Sequence, residues 1–126
     1  MAFSFEKLRA YEIGRALAKD VYALTLRFPD YEKFGLCSQI RRAVISVPSN
    51  IAEGSGRISL KEKAHFIEIA FGSLMETYCQ MQIALDLNSI SNEEFERVGL
   101  NVVECAKILS GLRNKFRDVN SPDDLQ

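Results

Sequence analysis

The stretch Ser91–Phe116, SNEEFERVGLNVVECAKILSGLRNKF, decides the fold class. Its apolar residues Phe95, Val98, Val102, Cys105, Leu109, Leu112 and Phe116 step by three and four without a miss. That spacing puts them on one stripe of an α-helix, with the seam expected of a helix in a left-handed bundle. Ser91 and Glu94 supply the start. A serine followed three residues later by a glutamate forms a capping box, in which each side chain satisfies an amide that has no partner inside the helix. One such stripe cannot be buried alone, so its partners must lie upstream.

Upstream, the same period recurs and nothing alternates over a strand length. A second capping box, Ser59 to Glu62, opens a helix predicted to reach about Leu87 and joined to the last by Asn88-Ser89-Ile90. It is apolar on more than one side: Phe66, Ile69, Ala70, Ser73, Thr77, Met81 and Ala84 form one stripe, and Ile67, Phe71, Leu74, Tyr78 and Leu85 another. So wide an apolar surface calls for two neighbours, and the second stripe is expected to face another subunit. Before it, a helix over roughly Glu32 to Glu53 carries Leu36, Ile40, Ala43, Val44, Val47 and Ile51 on one face. Pro48 lies inside it and predicts a kink near Val44 to Pro48, or two shorter helices. Gly54-Ser55-Gly56 predicts a stop with a left-handed glycine cap. The first helix is expected over about Phe5 to Phe28, with Ala10, Ile13, Gly14, Leu17, Val21, Leu24 and Phe28 facing inward. Pro29-Asp30 should end it, with Asp30 as the N-cap of the next helix. The expected fold is all-α: an antiparallel up-down-up-down four-helix bundle over residues 1–117, followed by a polar, frayed tail over 118–126.

The totals agree with one domain. The chain has 126 residues, 47% hydrophobic and 26% charged, with a net charge of −1, the balance of a folded protein too short for two cores. No segment approaches the roughly 20 uninterrupted apolar residues of a membrane span, and the start lacks a basic region before an apolar run, so a cytoplasmic location is expected. Near-neutral charge argues against a dedicated nucleic-acid protein, but it is unevenly spread: residues 1–63 carry +4 and residues 64–126 carry −5. Complementary helices packed together account for this, and so does a basic surface facing phosphates. Cys37, Cys79 and Cys105 each fall within apolar helical patterns and are expected as buried free thiols.

Few residues offer chemistry. Glu62 and His65 have the spacing of a di-iron helix motif, but that site needs two such motifs and the chain has one histidine; no metal or cofactor is expected. No nucleophile has an identifiable base, so the chain reads as not an enzyme unless copies of Glu53, Glu68 or Glu76 converge between subunits. Gly54-Ser55-Gly56-Arg57 before a helix start reads as a tight turn or as an anion cradle. Arg42, Ser46, Ser49, Asn50, Glu53 and Arg57 recur at offsets of 0, 4, 7, 8, 11 and 15, one continuous polar stripe of short side chains flanked by arginines. Such a stripe suits close, hydrogen-bonded contact with another chain. With Arg41, Lys61 and Lys63 it makes the candidate surface for RNA or a ribonucleoprotein partner. A structural or protein-binding scaffold without nucleic-acid affinity is the alternative.

Leu24-Thr25-x-x-Phe28-Pro29, Phe34-Gly35-Leu36, Gln39-Ile40-Arg41-Arg42-Ala43 and Val47-Pro48-Ser49-Asn50-Ile51-Ala52-Glu53-Gly54, then Gly56-Arg57, closely resemble the motifs of the 23S rRNA intervening-sequence protein family. The likeness continues through Phe66, Ile69-Ala70, Gly72-Ser73-Leu74 and Glu76, with Tyr11 standing near where that family often has a tryptophan. The resemblance implies an up-down-up-down bundle assembled as a ring-like homopentamer, with genes sometimes carried inside insertions of bacterial large-subunit rRNA genes. The accessory variability proteins of diversity-generating retroelements look similar. They form a basic pentameric barrel that engages a reverse transcriptase and nucleic acid, whereas the charge here is near zero.

Overall fold

A computed structural model describes residues 3–119. Four α-helices account for most of them: α1 Arg9–Thr25, α2 Leu36–Ser55, α3 Leu60–Asp86 and α4 Asn92–Val119. Short 3-10 turns at Ser4–Lys7 and Asp30–Glu32 complete the order, and no strand occurs among the described residues. α1 packs on α2 and α4, and α3 packs on α2 and α4, so the helices close around one core. α2 and α3 share the most extensive contact. Among the described residues, no helix is long and apolar enough to cross a membrane.

The stripe predicted for α1 is buried in full, from Ala10 to Phe28, but the helix is shorter than predicted. Leu8 is extended (φ −72°, ψ 130°) and separates the first 3-10 turn from α1. At the other end, the amides of Arg27 and Phe28 reach back only three residues, to Leu24 and Thr25. This tightening brings the chain to Pro29, whose predecessor cannot comfortably stay helical. Asp30 is not the N-cap of α2; it opens the 3-10 turn instead, and the Glu32 carboxylate accepts from the Leu36 amide at 3.2 Å.

α2 is a single helix with Pro48 in its interior, not two shorter ones. Pro48 is buried, and it faces a glycine: a Cβ on Gly14 of α1 would lie 3.4 Å from Pro48 Cβ, Cδ and N. The predicted left-handed glycine cap does not form. Gly54 is helical and Gly56 has φ −84°, while the turn is closed by the Ser55 hydroxyl donating to the Ala52 carbonyl and by the Lys63 ammonium donating to the Ser55 carbonyl at 3.1 Å. Gly54 serves close packing: a Cβ there would meet Phe66 Cβ at 2.8 Å. The left-handed residue is Asn88, at φ 61° after α3. The amides of Asn88 and Ser89 donate to the carbonyls of Leu85 and Ala84, the paired bonds of a Schellman ending.

On α3 the buried seam is Ile67, Ala70, Leu74, Thr77, Met81 and Ala84, taking members of both predicted stripes in alternating steps of three and four. Thr77 is fully buried, and its hydroxyl donates to the Ser73 carbonyl at 2.8 Å. Tyr78 packs on Phe95 of α4 with ring centroids 5.4 Å apart. The opposite face of α3 carries Ile69, Gly72, Cys79 and Ile83, all exposed. Cys79 therefore departs from expectation; Cys37 and Cys105 are buried, and all three thiols are free. Burial pushes the Cys105 thiol up to about 11, with Glu104 adding to the shift.

The capping box of α4 is reciprocal. The Ser91 hydroxyl accepts from the Glu94 amide at 3.1 Å, and the Glu94 carboxylate accepts from the Ser91 amide at 2.9 Å. Glu94 also accepts from Arg27, tying the segment after α1 to the start of α4. The Ser91 amide, with Arg27 beside it, holds the Glu94 carboxyl below its ordinary value despite partial desolvation. At Ser59 the hydroxyl accepts from the Glu62 amide at 3.0 Å. α4 extends to Val119, so Asp118 and Val119, expected in the tail, are helical; the rest of the predicted frayed tail, 120–126, lies outside the described residues.

Two stability changes are expected. Gly54→Ala should destabilise the fold by about 1–2 kcal/mol, because overpacking against Phe66 outweighs the helix propensity gained; chemical denaturation reads it, and a stabilised variant would contradict the close approach. A carboxyl whose folded pKa is depressed adds stability above the unfolded value, roughly 4.3, and loses it as pH falls through the folded value. Glu94→Gln should therefore be destabilising at pH 7, with a deficit that shrinks at acid pH. A deficit independent of pH would contradict the role of the charge.

Candidate interaction surface

The polar stripe of α2 is divided by what each side chain meets. Ser46 and Asn50 turn toward α3. The Ser73 hydroxyl donates to Ser46 Oγ at 2.8 Å, and Asn50 Nδ2 donates to both Ser46 Oγ and the Ser46 carbonyl at 2.8 Å. This half-buried network links α2 to α3. Its groups are satisfied within the fold, so it positions its neighbours and does not by itself demand a ligand.

Around the network lie the charged groups. Arg42 is exposed and, with Ala43, Ser46, Ser73 and Glu76, lines a shallow polar pocket of about 260 Å³. Glu53 pairs with Arg57 at 3.1 Å along one turn of helix, and the Arg57 guanidinium stacks over the Phe66 ring at 4.6 Å from its centroid. Both side chains of that pair are substantially exposed, 41% and 54%, so the pair itself is worth at most about 1 kcal/mol. The aromatic contact does more to hold the guanidinium in place. Arg42 has no carboxylate within 4 Å among the described residues. Lys61 is exposed in the first turn of α3 and likewise has no such partner.

Two predicted members leave the surface. Lys63 is spent on the Ser55 carbonyl. Arg41 turns to α1: its Nε donates to Thr25 Oγ1 at 2.8 Å and its guanidinium lies 4.9 Å from the centroid of the Tyr22 ring. Adjacent arginines on a helix point about 100° apart, so Arg41 and Arg42 cannot share a face. The anion cradle at Gly54-Ser55-Gly56-Arg57 is not formed either. The amides of Gly56 and Arg57 donate to the carbonyls of Glu53 and Gly54, and the Glu62 amide is taken by Ser59.

Glu53, Glu68 and Glu76 are all exposed, and no group of three or more potential metal ligands occurs among the described residues. Sequence reasoning missed how the outer face of α3 continues this surface: Ile69, Gly72, Cys79 and Ile83 are short or apolar and exposed, beside Glu76 and close to the Arg42 pocket. The signal was present as the second apolar side of α3, but the residues assigned to each side were wrong by part of a turn.

The fold of this chain has a counterpart among known proteins. Its fold is similar to that in the crystal structure of a protein of unknown function from the S23 ribosomal protein family of Bacteroides thetaiotaomicron, with a TM-score of 0.75 and 20% identity, over 82% of this chain and 97% of that one. None of the curated proteins matches. The model of the 23S rRNA-intervening sequence proteins matches residues 6–111, which spans α1, α2 and α3 and most of α4. The chain therefore belongs to the 23S rRNA-intervening sequence protein family.

Proposed function

We propose that this protein is a non-catalytic assembly module of the bacterial cytoplasm, an antiparallel up-down-up-down bundle that joins copies of itself and presents the α2–α3 surface to RNA. The observation that carries the reading is the juxtaposition on that surface. An exposed apolar and small-residue face, Ile69, Gly72, Cys79 and Ile83, adjoins Arg42, which has no carboxylate partner among the described residues, and Arg57, which is held on Phe66. Apolar area of this kind favours burial against another copy, and the family resemblance implies five copies. A ring would repeat Arg42, Arg57 and Lys61 once per subunit, so modest local charge becomes a multivalent contact with phosphates despite a net charge of −1. In the second reading, favoured by the Glu53–Arg57 pair and the satisfied Ser46–Ser73 network, the same surface only joins subunits.

Native mass spectrometry of untagged protein purified at low salt without nuclease should find a pentamer carrying RNA. Affinity should fall steeply with salt, and Arg42→Ala with Arg57→Ala should flatten the slope of log K against log salt by about 1.4 per subunit engaged, at about 0.7 for each single-strand phosphate left unneutralised. A flat salt response or an RNA-free pentamer would leave only the scaffold reading, and a monomer would overturn the assembly. Gly72 gives an independent check, since a Cβ there meets nothing within 4 Å in the single chain. Gly72→Ala should stabilise a dissociated subunit by about 1 kcal/mol yet weaken assembly, as seen by sedimentation; unchanged assembly would remove this face from the subunit contact.

A further inference from the structure

We infer that the pocket between the end of α1 and the first two turns of α2 binds a phosphate monoester, held by Arg41 and Lys33. The pocket encloses about 240 Å³ and is lined by Thr25, Leu26, Pro29, Asp30, Lys33 and Arg41, among others. It lies on the α1 side of α2, so the inference does not rest on the RNA reading of the α2–α3 surface.

Cys37 and Arg41 stand one turn apart on α2, and Lys33, which follows the 3-10 turn, lines the same pocket, so two cations border it. Arg41 is preorganised. Its Nε is committed to Thr25 Oγ1 at 2.8 Å, the plane of its guanidinium is set against Tyr22, and Thr25 is itself 3% exposed with its hydroxyl donating to the Tyr22 carbonyl at 2.9 Å. With Nε occupied, the two Nη groups remain as a fork suited to two oxygens of one oxyanion. Neither they nor the Lys33 ammonium has a carboxylate within 4 Å among the described residues. Lys33 is over the Phe34 ring, 5.5 Å from its centroid.

Acidic groups nearby set the preference. Asp30 lines the pocket, and Glu32 is occupied by the Leu36 amide. These two carboxylates offset the two cations, so a dianion is favoured by engaging the Arg41 fork and the Lys33 ammonium together. Leu26, Phe28 and Pro29 line the rest of the pocket. The volume admits a phosphate group with some of its ester, since a water molecule takes about 30 Å³.

The probe is inorganic phosphate titrated into the full-length, isotope-labelled protein and followed by NMR. Saturable shifts are expected at the amides of Lys33 and Cys37 and at Arg41 Nε. Arg41→Lys, which keeps the charge and loses the fork, should weaken binding about tenfold or more. Because Arg41 also clasps α1, Lys33→Gln provides a second variant that leaves that clasp intact, and it should weaken binding as well. Lys107→Gln, on exposed α4 surface, should not. Absence of saturation at millimolar phosphate, or unchanged affinity in Lys33→Gln, overturns the site. An oligoribonucleotide with a 5′-phosphate binding more tightly than its 5′-hydroxyl counterpart would identify the monoester as an RNA end; equal binding of the two, with phosphate still bound, would identify it as a small free phosphate.

Discussion

Everything else in the molecule depends on how closely α2 approaches α3. The approach is set at two points, Gly54 against Phe66 and Ser46 against Ser73, where the absence of a side chain or the shortness of one lets the helices meet. Phe66 has no room for even one added carbon at Gly54. A short hydroxyl pair further along α2 keeps the distance small while satisfying its own polar atoms, which a buried apolar pair of the same size would not need to do. With that distance established, Ile51, Val47, Val44 and Ile40 of α2 meet the seam of α3, and the other two helices close over both.

The same approach decides which charges remain available. The turn between α2 and α3 is so short that its own carbonyls and amides bond to one another, to Ser59 and to Lys63. The amides of Gly56 and Arg57 are therefore not available to an anion. Arg57 is carried onto Phe66 by the turn, and Arg42 is left beside Glu76. At the far end of α2, Arg41 and Cys37 are drawn toward Thr25 of α1. Basic residues that are close along the chain thus serve separate purposes: helix ending, α1–α2 clasp and surface.

Membership in the 23S rRNA-intervening sequence protein family and the likeness to the Bacteroides thetaiotaomicron structure agree on the helical fold. Several polar side chains are used in folding. Glu62 and Glu94 accompany the capping serines, Asn50 and Ser73 hold Ser46, and Thr77 bonds to its own helix.

By itself the sequence determined the helices, their inward stripes on α1, α2 and α4, and the serine caps at Ser59 and Ser91, of which only Ser91–Glu94 closes as a reciprocal box, because each of these follows from interactions between residues at most four positions apart. Only the tertiary structure decided how they are used. Gly54 became a packing contact and Asn88 the left-handed residue, because the clash with Phe66 and the return of the chain toward α4 are set by segments distant in sequence. Pro48 stays inside one helix, packed against Gly14 of α1. Arg41 and Lys63 left the predicted surface for the same reason: a helical position specifies direction around its own axis, while the groups waiting there, Thr25 and the Ser55 carbonyl, are brought by neighbouring parts of the fold. The two apolar sides of α3 could be counted from spacing, but dividing them into core and exposed face required the positions of α2 and α4, which no local period contains.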